Sequence, residues 1–456
     1  MKRVALHNLG CKVNSYEIDV MQQKLSDRGY EIVPFDQTAD IYIVNTCTVT
    51  NIADRKSRQM LHRAKQKNPQ AVVVAVGCYV QPGKEQLALD ESVDLAIGNN
   101  RKSEIVEILE QYLAENSDKY SASITDIDHT YEYEEMQLTR TAEHTRAYIK
   151  IQDGCNQFCS YCAIPLARGR VRSRRPENVL AEVRGIVAKG YREIVLTGIH
   201  LSSYGIDFDE EAWKQGNCVT MTRGDLPAYS GKSKLIDLVE QLQQIEGLER
   251  IRLGSLEPRV VTRENAFRLA ALSKICPHFH LSLQSGCDAT LRRMNRHYTA
   301  QEYLDSVNYL REAFRDPAIT TDVIVGFPGE TEEEFAQTKA FLEEVQFYEL
   351  HVFKYSKRAG TAAAGMKNQV PEQIKTERSN ELLALDKEIS RSFRERHLGQ
   401  EAEVLFEEEM ELEGSTYQVG HTRDYIKVAV PAGEENLSGK IQTVRINRFF
   451  TEDLMG

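Results

Sequence analysis

Apolar and polar positions alternate along this chain in two rhythms. To about residue 115, short β-branched runs at Val4–Leu6, Ile41–Val44 and Val72–Val76 are separated by helically spaced segments, Ser15–Arg28 and Ile52–Lys67. Strands alternating with helices predict an open parallel α/β sheet. From 147 to 371 the unit repeats with six strand candidates: Ala147–Ile151, Glu193–Thr197, Arg250–Leu253, Phe279–Leu283, Thr321–Val325 and Glu349–Phe353. Helical spacing returns between them at Pro176–Ala188, Leu235–Ile245, Gln301–Phe314 and Glu332–Val345. Fewer than eight units predict a partial (β/α)6 barrel, with its chemistry at the carboxyl ends of the strands. Thr331 and Glu334 make a capping-box pattern for the last of these helices.

Residues 116–146 are polar and predict a connection with little core, and 372–398 read as a connecting helix. Short alternating runs from 399 to 456 predict a small all-β domain of antiparallel strands. The connection from Tyr204 to Lys234 is long, and reads as a lid, a substrate-specific insertion or a disordered surface loop.

At 456 residues, 41% hydrophobic and 27% charged, the chain is long enough for large cores and ordinary in composition. It shows no apolar run of membrane-spanning length and no leader-like opening, so the expected location is cytoplasmic and no membrane partner is expected. Thiols stay reduced there, and the cysteines read as ligands. A net charge of −11 argues against a wholly basic nucleic-acid-binding surface and leaves room for a local patch.

Three cysteines share one short loop after the first barrel strand: Cys155, Cys159 and Cys162, in Gly-Cys-Asn-Gln-Phe-Cys-Ser-Tyr-Cys. Structural zinc closes its site with four ligands, and the nearest histidines, His144 and His200, are not at ligand spacing. A [4Fe–4S] cluster on three thiolates keeps one iron open for a small molecule. A second triplet, Cys11, Cys47 and Cys78, follows three successive strands about one βαβ unit apart. Parallel strands would deliver these thiols to one sheet edge, the edge where such sheets place ligands. They read as a second cluster site or as three buried small hydrophobes. Gly10 and Gly77 precede two of them and allow close backbone approach. Cys218, Cys276 and Cys287 fall outside both triplets and read as packing or incidental residues.

These pieces together resemble the radical S-adenosylmethionine methylthiotransferase family over nearly the whole chain. The matching stretches are Leu9–Glu17, Asn45–Thr50, Gly77-Cys78, the Cys155 loop, Ser282–Gly286, Asp322–Thr331 and Tyr355-Ser356. Lys12-Val13-Asn14 after the first cysteine is similar to the branch acting on N6-threonylcarbamoyladenosine at tRNA position 37. Other branches act on isopentenyl-adenosine in tRNA or on a ribosomal-protein aspartate. A non-catalytic RNA-binding iron–sulfur protein is the alternative of another class.

The resemblance implies two [4Fe–4S] clusters and two molecules of S-adenosylmethionine per turnover. Cys155, Cys159 and Cys162 would hold the radical-generating cluster, and Cys11, Cys47 and Cys78 a sulfur-carrying one. Both triplets would count as catalytic, facing one another across a shared cavity. The partner would be the tRNA anticodon stem-loop; the sulfur and electron donors are not identified by the sequence.

Thr197, Gly198, Ser255 and Gln284 stand at strand ends where the cofactor would lie. Tyr161 reads as a contact for its adenine or as an aromatic core contact, and Glu257 as a ligand of its amino group or as a salt-bridge partner. Arg168, Arg170, Arg172, Arg174 and Arg175 form a basic run suited to RNA phosphates or the threonyl carboxylate, or a solvated charged face. The terminal segment resembles the RNA-binding TRAM domain, yet is rich in acids. Its RNA contacts would fall to residues such as Arg423, Lys427, Arg445 and Arg448.

Overall fold

The computed structural model describes residues 2–115, 120–140, 145–208 and 233–456. Trp213, Cys218, His144 and most of the Tyr204–Lys234 connection lie outside the described residues.

Six strands form the first sheet: β1 (Arg3–Asn8), β2 (Glu31–Val33), β3 (Ile41–Thr46), β4 (Val72–Gly77), β5 (Leu95–Ile97) and β6 (Ser121–Ser123). Their order is β2-β1-β3-β4-β5-β6, all parallel. The runs Ile41–Val44 of β3 and Val72–Val76 of β4 are apolar without a break because both faces of these central strands are covered. Along β3, Ile41 and Ile43 enter one core while Tyr42 and Val44 enter another.

The second unit is built from β7 (Ala147–Asp153), β8 (Arg172–Ser173), β9 (Glu193–Gly198), β10 (Arg250–Leu253), β11 (His278–His280), β12 (Ala318–Val325) and β13 (Glu349–Lys354). One sheet runs β10-β9-β7-β8 and another β11-β12-β13. Bridges at Ile251–Ile275 and Leu256–Leu281 join them into an open barrel wall. The helix Glu332–Val345 starts on the expected Thr331–Glu334 capping box. Helices Arg263–Ala270 and Asp288–Arg293 also belong to this unit, and their few turns carry too short a pattern to announce them.

The open side of the wall lies between β7 and β13, and the first sheet covers it. Its helix Lys12–Asp27 packs on β7. On the far lip, Arg358 pairs with Asp54 at 2.7 Å and donates to Thr48 Oγ1 at 2.7 Å and Asn51 Oδ1 at 2.6 Å. One face of the sheet and the barrel wall share a single core: Val4, Ile43 and Val76 join Ile149, Leu196 and Val323.

The connection at 116–146 has more structure than its polarity suggests. β6 extends the first sheet beyond residue 115, and Met136 and Leu138 are buried in the shared core. Two isolated apolar residues leave no periodic trace when other segments supply the core they enter.

The terminal domain holds β14 (Glu401–Leu412), β15 (Ser415–Thr422), β16 (Lys427–Pro431), β17 (Ile441–Arg445) and β18 (Leu454–Met455), in the order β17-β14-β15-β16-β18. All pairings are antiparallel except β16 with β18. The helix Glu372–Glu395 leads into it. The domain docks on the amino-terminal end of the barrel. Tyr425 is flanked there by Arg146 and Arg252, 5.0 and 4.8 Å from its ring centre, and stacks on His278. Arg423, expected at RNA, instead donates to the carbonyls of Ser273 and Ile275 and helps fix the domain. Lys427 faces Glu408, while Arg445 and Arg448 are exposed.

Candidate active site between sheet and barrel

Cys11, Cys47 and Cys78 follow β1, β3 and β4, which are neighbours in the sheet, so parallel pairing gathers them at one edge. Asn14 holds the edge together by donating to the carbonyls of Leu9 (2.6 Å) and Thr46 (3.1 Å), while its side-chain oxygen accepts from Arg168. Asn45 Nδ2 donates to the Asn14 carbonyl at 3.0 Å. Gly77 has φ +94°, and a Cβ there would stand 2.5 Å from Asn45 Oδ1. Burial, then the neighbouring Cys78 charge, pushes the Cys47 thiol up to about 12.

The second triplet lies on the loop after β7. Cys155 N–H donates to the Gly169 carbonyl, and Ser160 N–H to that of Met294. Asn295 Nδ2 donates to the Phe158 carbonyl at 3.0 Å, and Arg296 Nη1 points at Cys159 Sγ from 3.2 Å. Burial, then the Cys159 charge, pushes Cys162 up to about 12. Gln152 secures the base of the loop: its amide donates to the carbonyls of Asp153 and Gly154 and accepts from His200 N–H at the end of β9.

Gly154 enters this loop with φ +69°, and an added Cβ would lie 1.7 Å from the Arg170 carbonyl oxygen. Backbone on both sides leaves no room to yield. Gly154→Ala protein should therefore bind about half the iron of the parent after anaerobic reconstitution, with the Cys155 loop empty. Full iron content in that variant would show that the loop tolerates the displacement.

Between the edges lies a buried charge cluster that the sequence did not announce. Arg168 spends its whole guanidinium on it. Nε donates to Cys78 Sγ at 3.1 Å, Nη1 to Glu17 (2.8 Å) and Asp153 (3.0 Å), and Nη2 to Asn14 (2.7 Å) and Glu17 (3.0 Å). Lys150 pairs with Glu17 and Asp153, and Lys102 with Glu17. Burial alone would raise the Glu17 carboxyl, but Arg168, Lys102 and Lys150 hold it well below its ordinary value. A single guanidinium thus ties the Cys78 edge to Asp153, two residues before Cys155.

For Arg168, Arg172 and Arg174 this corrects the reading of the basic run as an RNA or solvent face. Arg168, Arg172 and Arg174 are buried, the last paired with Glu135 and Glu182. Arg170 lies over the Phe158 ring and Arg175 over that of Phe208. Arg168, Arg172 and Arg174 turn inward because Glu17, Asp153 and Glu182 wait there, while Arg175 stays exposed.

A cavity of about 260 Å³ opens between the units, lined by Val49 and Thr50 from the sheet and by Tyr161, Cys162, Gln284, Asp322, Phe353 and Tyr355 from the barrel. Tyr161 also packs beside Met294, Phe327 and Tyr355. Gln284 holds φ +73°, fixed by its N–H on the Asp322 carbonyl and its own carbonyl on Ile324 N–H. A left-handed non-glycine residue at a cleft is a constraint that packing must hold in place. Thr197 and Gly198 end β9; Ser255 is exposed just past β10. Glu257 is buried and engaged by Arg259 at 3.0 Å and His200 at 3.5 Å, the salt-bridge alternative of the two. Burial would raise its carboxyl, yet His200 and Arg259 keep it below the ordinary range. Cys276 and Cys287 are buried.

No three His, Cys, Asp or Glu side chains among the described residues are arranged to grip a single metal ion. A cubane asks for a different spacing, because each cysteine takes its own iron and the sulfurs stand apart. Grouped thiols with guanidinium N–H groups aimed at two of them fit cluster ligands and their outer support.

Family models agree with this geometry. Residues 149–342 match the "Radical SAM superfamily" and residues 3–98 the "Uncharacterized protein family UPF0004". A threonylcarbamoyladenosine tRNA methylthiotransferase, MtaB, from Bacillus subtilis (strain 168) is 40% identical over 98% of this chain and 94% of its own length. The chain belongs to the radical-SAM tRNA methylthiotransferase family. Its relatives include the MtaB of Chlamydia pneumoniae, 36% identical over 98% of this chain and 96% of that protein. A tRNA-2-methylthio-N(6)-dimethylallyladenosine synthase of Protochlamydia amoebophila is 34% identical over 100% and 96%. Among solved structures, the radical S-adenosylmethionine methyltransferase TsrM of Kitasatospora setae, bound to tryptophan and a SAM analog, shares the fold. Its TM-score is 0.53 at 16% identity, over 77% of this chain and 73% of that one. Members of the methylthiotransferase family are transferases that carry two [4Fe–4S] clusters and use S-adenosylmethionine. No described helix of this member is long and apolar enough to cross a membrane.

Proposed function

We propose that this chain replaces the C2 hydrogen of N6-threonylcarbamoyladenosine, at position 37 beside the tRNA anticodon, with a methylthio group. The cytoplasm is where such a substrate and reduced thiols meet. The observation that carries the reading is that Arg168 joins Cys78 of one triplet to Asp153, two residues before Cys155 of the other, beside a cleft lined by Cys162, Val49 and Thr50, in a chain whose 40% identical relative bears that substrate in its name. Adenine C2 has neither an acidic proton nor a leaving group, so acid–base chemistry alone is a poor route. When bound, two [4Fe–4S] clusters and S-adenosylmethionine supply the carbon radical and the methylated sulfur that such a substitution needs.

The chain's own residues do the rest. Cys155, Cys159 and Cys162 would hold one cluster and Cys11, Cys47 and Cys78 the other. Arg168 and Arg296 donate N–H groups to ligand sulfurs and disperse their negative charge. Thr197, Gly198, Ser255 and Gln284 line strand ends where the cofactor would be oriented. Tyr161, Phe353 and Tyr355 offer the cavity apolar ring surface suited to a purine. RNA backbone would meet exposed bases such as Arg445 and Arg448 of the terminal domain.

Expression in a host lacking the modification tests the reading. Mass spectrometry of its tRNA nucleosides should show 2-methylthio-N6-threonylcarbamoyladenosine. The Protochlamydia relative's name supports a second reading, and appearance of only the methylthiolated dimethylallyl nucleoside would establish that one instead.

A further inference from the structure

The cavity of about 260 Å³ has room for a base and little else, so the polynucleotide that carries the base runs across its rim. One stretch of that rim is made by Val49 and Thr50, and the helix Asn51–Lys67 starts directly after them. Val49 is 51% and Ile52 56% exposed, and Phe353, on the barrel side of the same cavity, is 47% exposed. Apolar side chains held in water at a cavity mouth mark a contact surface.

Beyond its first turn the helix is basic. Lys56 and Arg63 share a stripe with Ile52, and Arg55 lies beside it, because residues three, four and seven apart share a helical face. All three cations are exposed, and Ser57, Leu61 and Ala64 form the buried face opposite. Cations nearer that buried face are engaged: Arg58 with the Tyr79 hydroxyl, Lys65 with Asp94 and Lys67 with the Asp36 carbonyl. Arg55, Lys56 and Arg63 have no carboxylate at ion-pairing distance among the described residues.

The helix has one acid, Asp54, and both of its oxygens are taken. One accepts from Thr48 Oγ1 and the other from Arg358 Nη2, each at 2.7 Å. Lys357, beside Arg358 on the barrel lip, is a further exposed cation without a carboxylate. Its carbonyl accepts from Asn51 Nδ2 at 3.1 Å, which sets it next to the start of the helix. Elsewhere, surface arginines such as Arg28, Arg192 and Arg263 hold carboxylates. In a chain of net charge −11, a row of cations left without acids is a positive strip on a negative body.

We propose that the exposed face of the helix Asn51–Lys67, with Lys357, carries the sugar–phosphate backbone of the substrate RNA beside the target nucleotide. The inference rests on the tRNA reading and not on which N6 substituent the adenosine bears. Ile52 to Arg63 span about 16 Å at 1.5 Å per residue, enough to follow several phosphates. The row begins at the cavity rim and leads away from it. One helix therefore meets the nucleotide with apolar side chains and its flanking phosphates with cations. Arg358 fixes the first turn to the barrel and so sets the strip's distance from the cavity.

The test uses anaerobically reconstituted holoenzyme and an anticodon stem-loop RNA with plain adenosine at position 37. Arg55→Gln/Lys56→Gln/Arg63→Gln should bind it about 10–100-fold more weakly at physiological salt. The slope of log affinity against log salt should fall by about 2–3, roughly one for each lost phosphate contact. Glutamine keeps the helix propensity of these exposed positions. Arg55→Lys/Arg63→Lys should bind as the parent does, since the contact is with charge. Arg184→Gln/Lys189→Gln/Arg192→Gln removes the same charge from exposed positions on the helix Pro176–Val187 and the turn after it. That control should lose less than about threefold, because salt screens distant charges. Unchanged affinity and slope in the helix variant, or an equal loss in the control, overturns the proposal. So does a helix variant that binds RNA as the parent does but is reduced more slowly by a small acidic flavin protein, which would give the strip to an electron donor. Because the probe carries no N6 substituent, failure of the threonylcarbamoyl reading in nucleoside analysis leaves this result standing.

Discussion

Arg168→Leu should open the seam between sheet and barrel and lower stability by about 3–5 kcal/mol, the range for stripping one partner from a buried ion network. The side chain is fully buried and satisfies Glu17 and Asp153 together. Without it, two carboxylates share Lys102, Lys150 and Arg172, and Cys78 Sγ loses its N–H donor. The readouts are an earlier thermal transition and faster proteolysis between the two units. Arg168→Lys should fall between, since an ammonium offers a point charge where the fork makes five bonds. An unchanged transition in Arg168→Leu would mean that the apolar core alone holds the seam. Acid should act in the same direction. Both carboxylates titrate below their unfolded values near 4, so the network's contribution is complete above about pH 5 and is lost as pH falls toward the folded values.

Cys159→Ala should abolish reductive cleavage of S-adenosylmethionine while keeping the iron–sulfur absorption of the other site. The parent should hold about eight irons and the variant about four, because three thiolates are the minimum that leaves a cubane one open corner. Cys159 lies on the barrel loop, pinned by Met294 and Arg296. Cys78 lies on the sheet, pinned by Thr46. These supports are separate, so one site should survive loss of the other. Disappearance of both signals would show that the sites assemble together.

The sequence shows what is periodic or clustered locally. β3 and β4 are apolar on both faces, and the cysteines after β1, β3 and β4 fall in phase with the strands; both features survive in a single chain read end to end. What depends on distant partners is hidden. Arg168 and Glu17 are 151 positions apart, so Arg168, Arg172 and Arg174 read as part of a charged surface when they are buried against carboxylates. Arg296 gives no hint that its guanidinium will meet Cys159, 137 positions earlier. Met136 and Leu138 look incidental in a polar stretch until the core around them is assembled.

The first sheet is fastened to both lips of the barrel, through Arg168 on one and Arg358 on the other. A jaw hinged on either lip would have to break ion pairs to swing. The gap between the two sets of thiols is therefore a fixed gauge, and the enzyme is not built to close around an RNA loop. The nucleotide has to be everted from its stack and threaded into a slot that is already formed. Selectivity then begins with how readily a given tRNA surrenders that base, before any contact inside the protein is made.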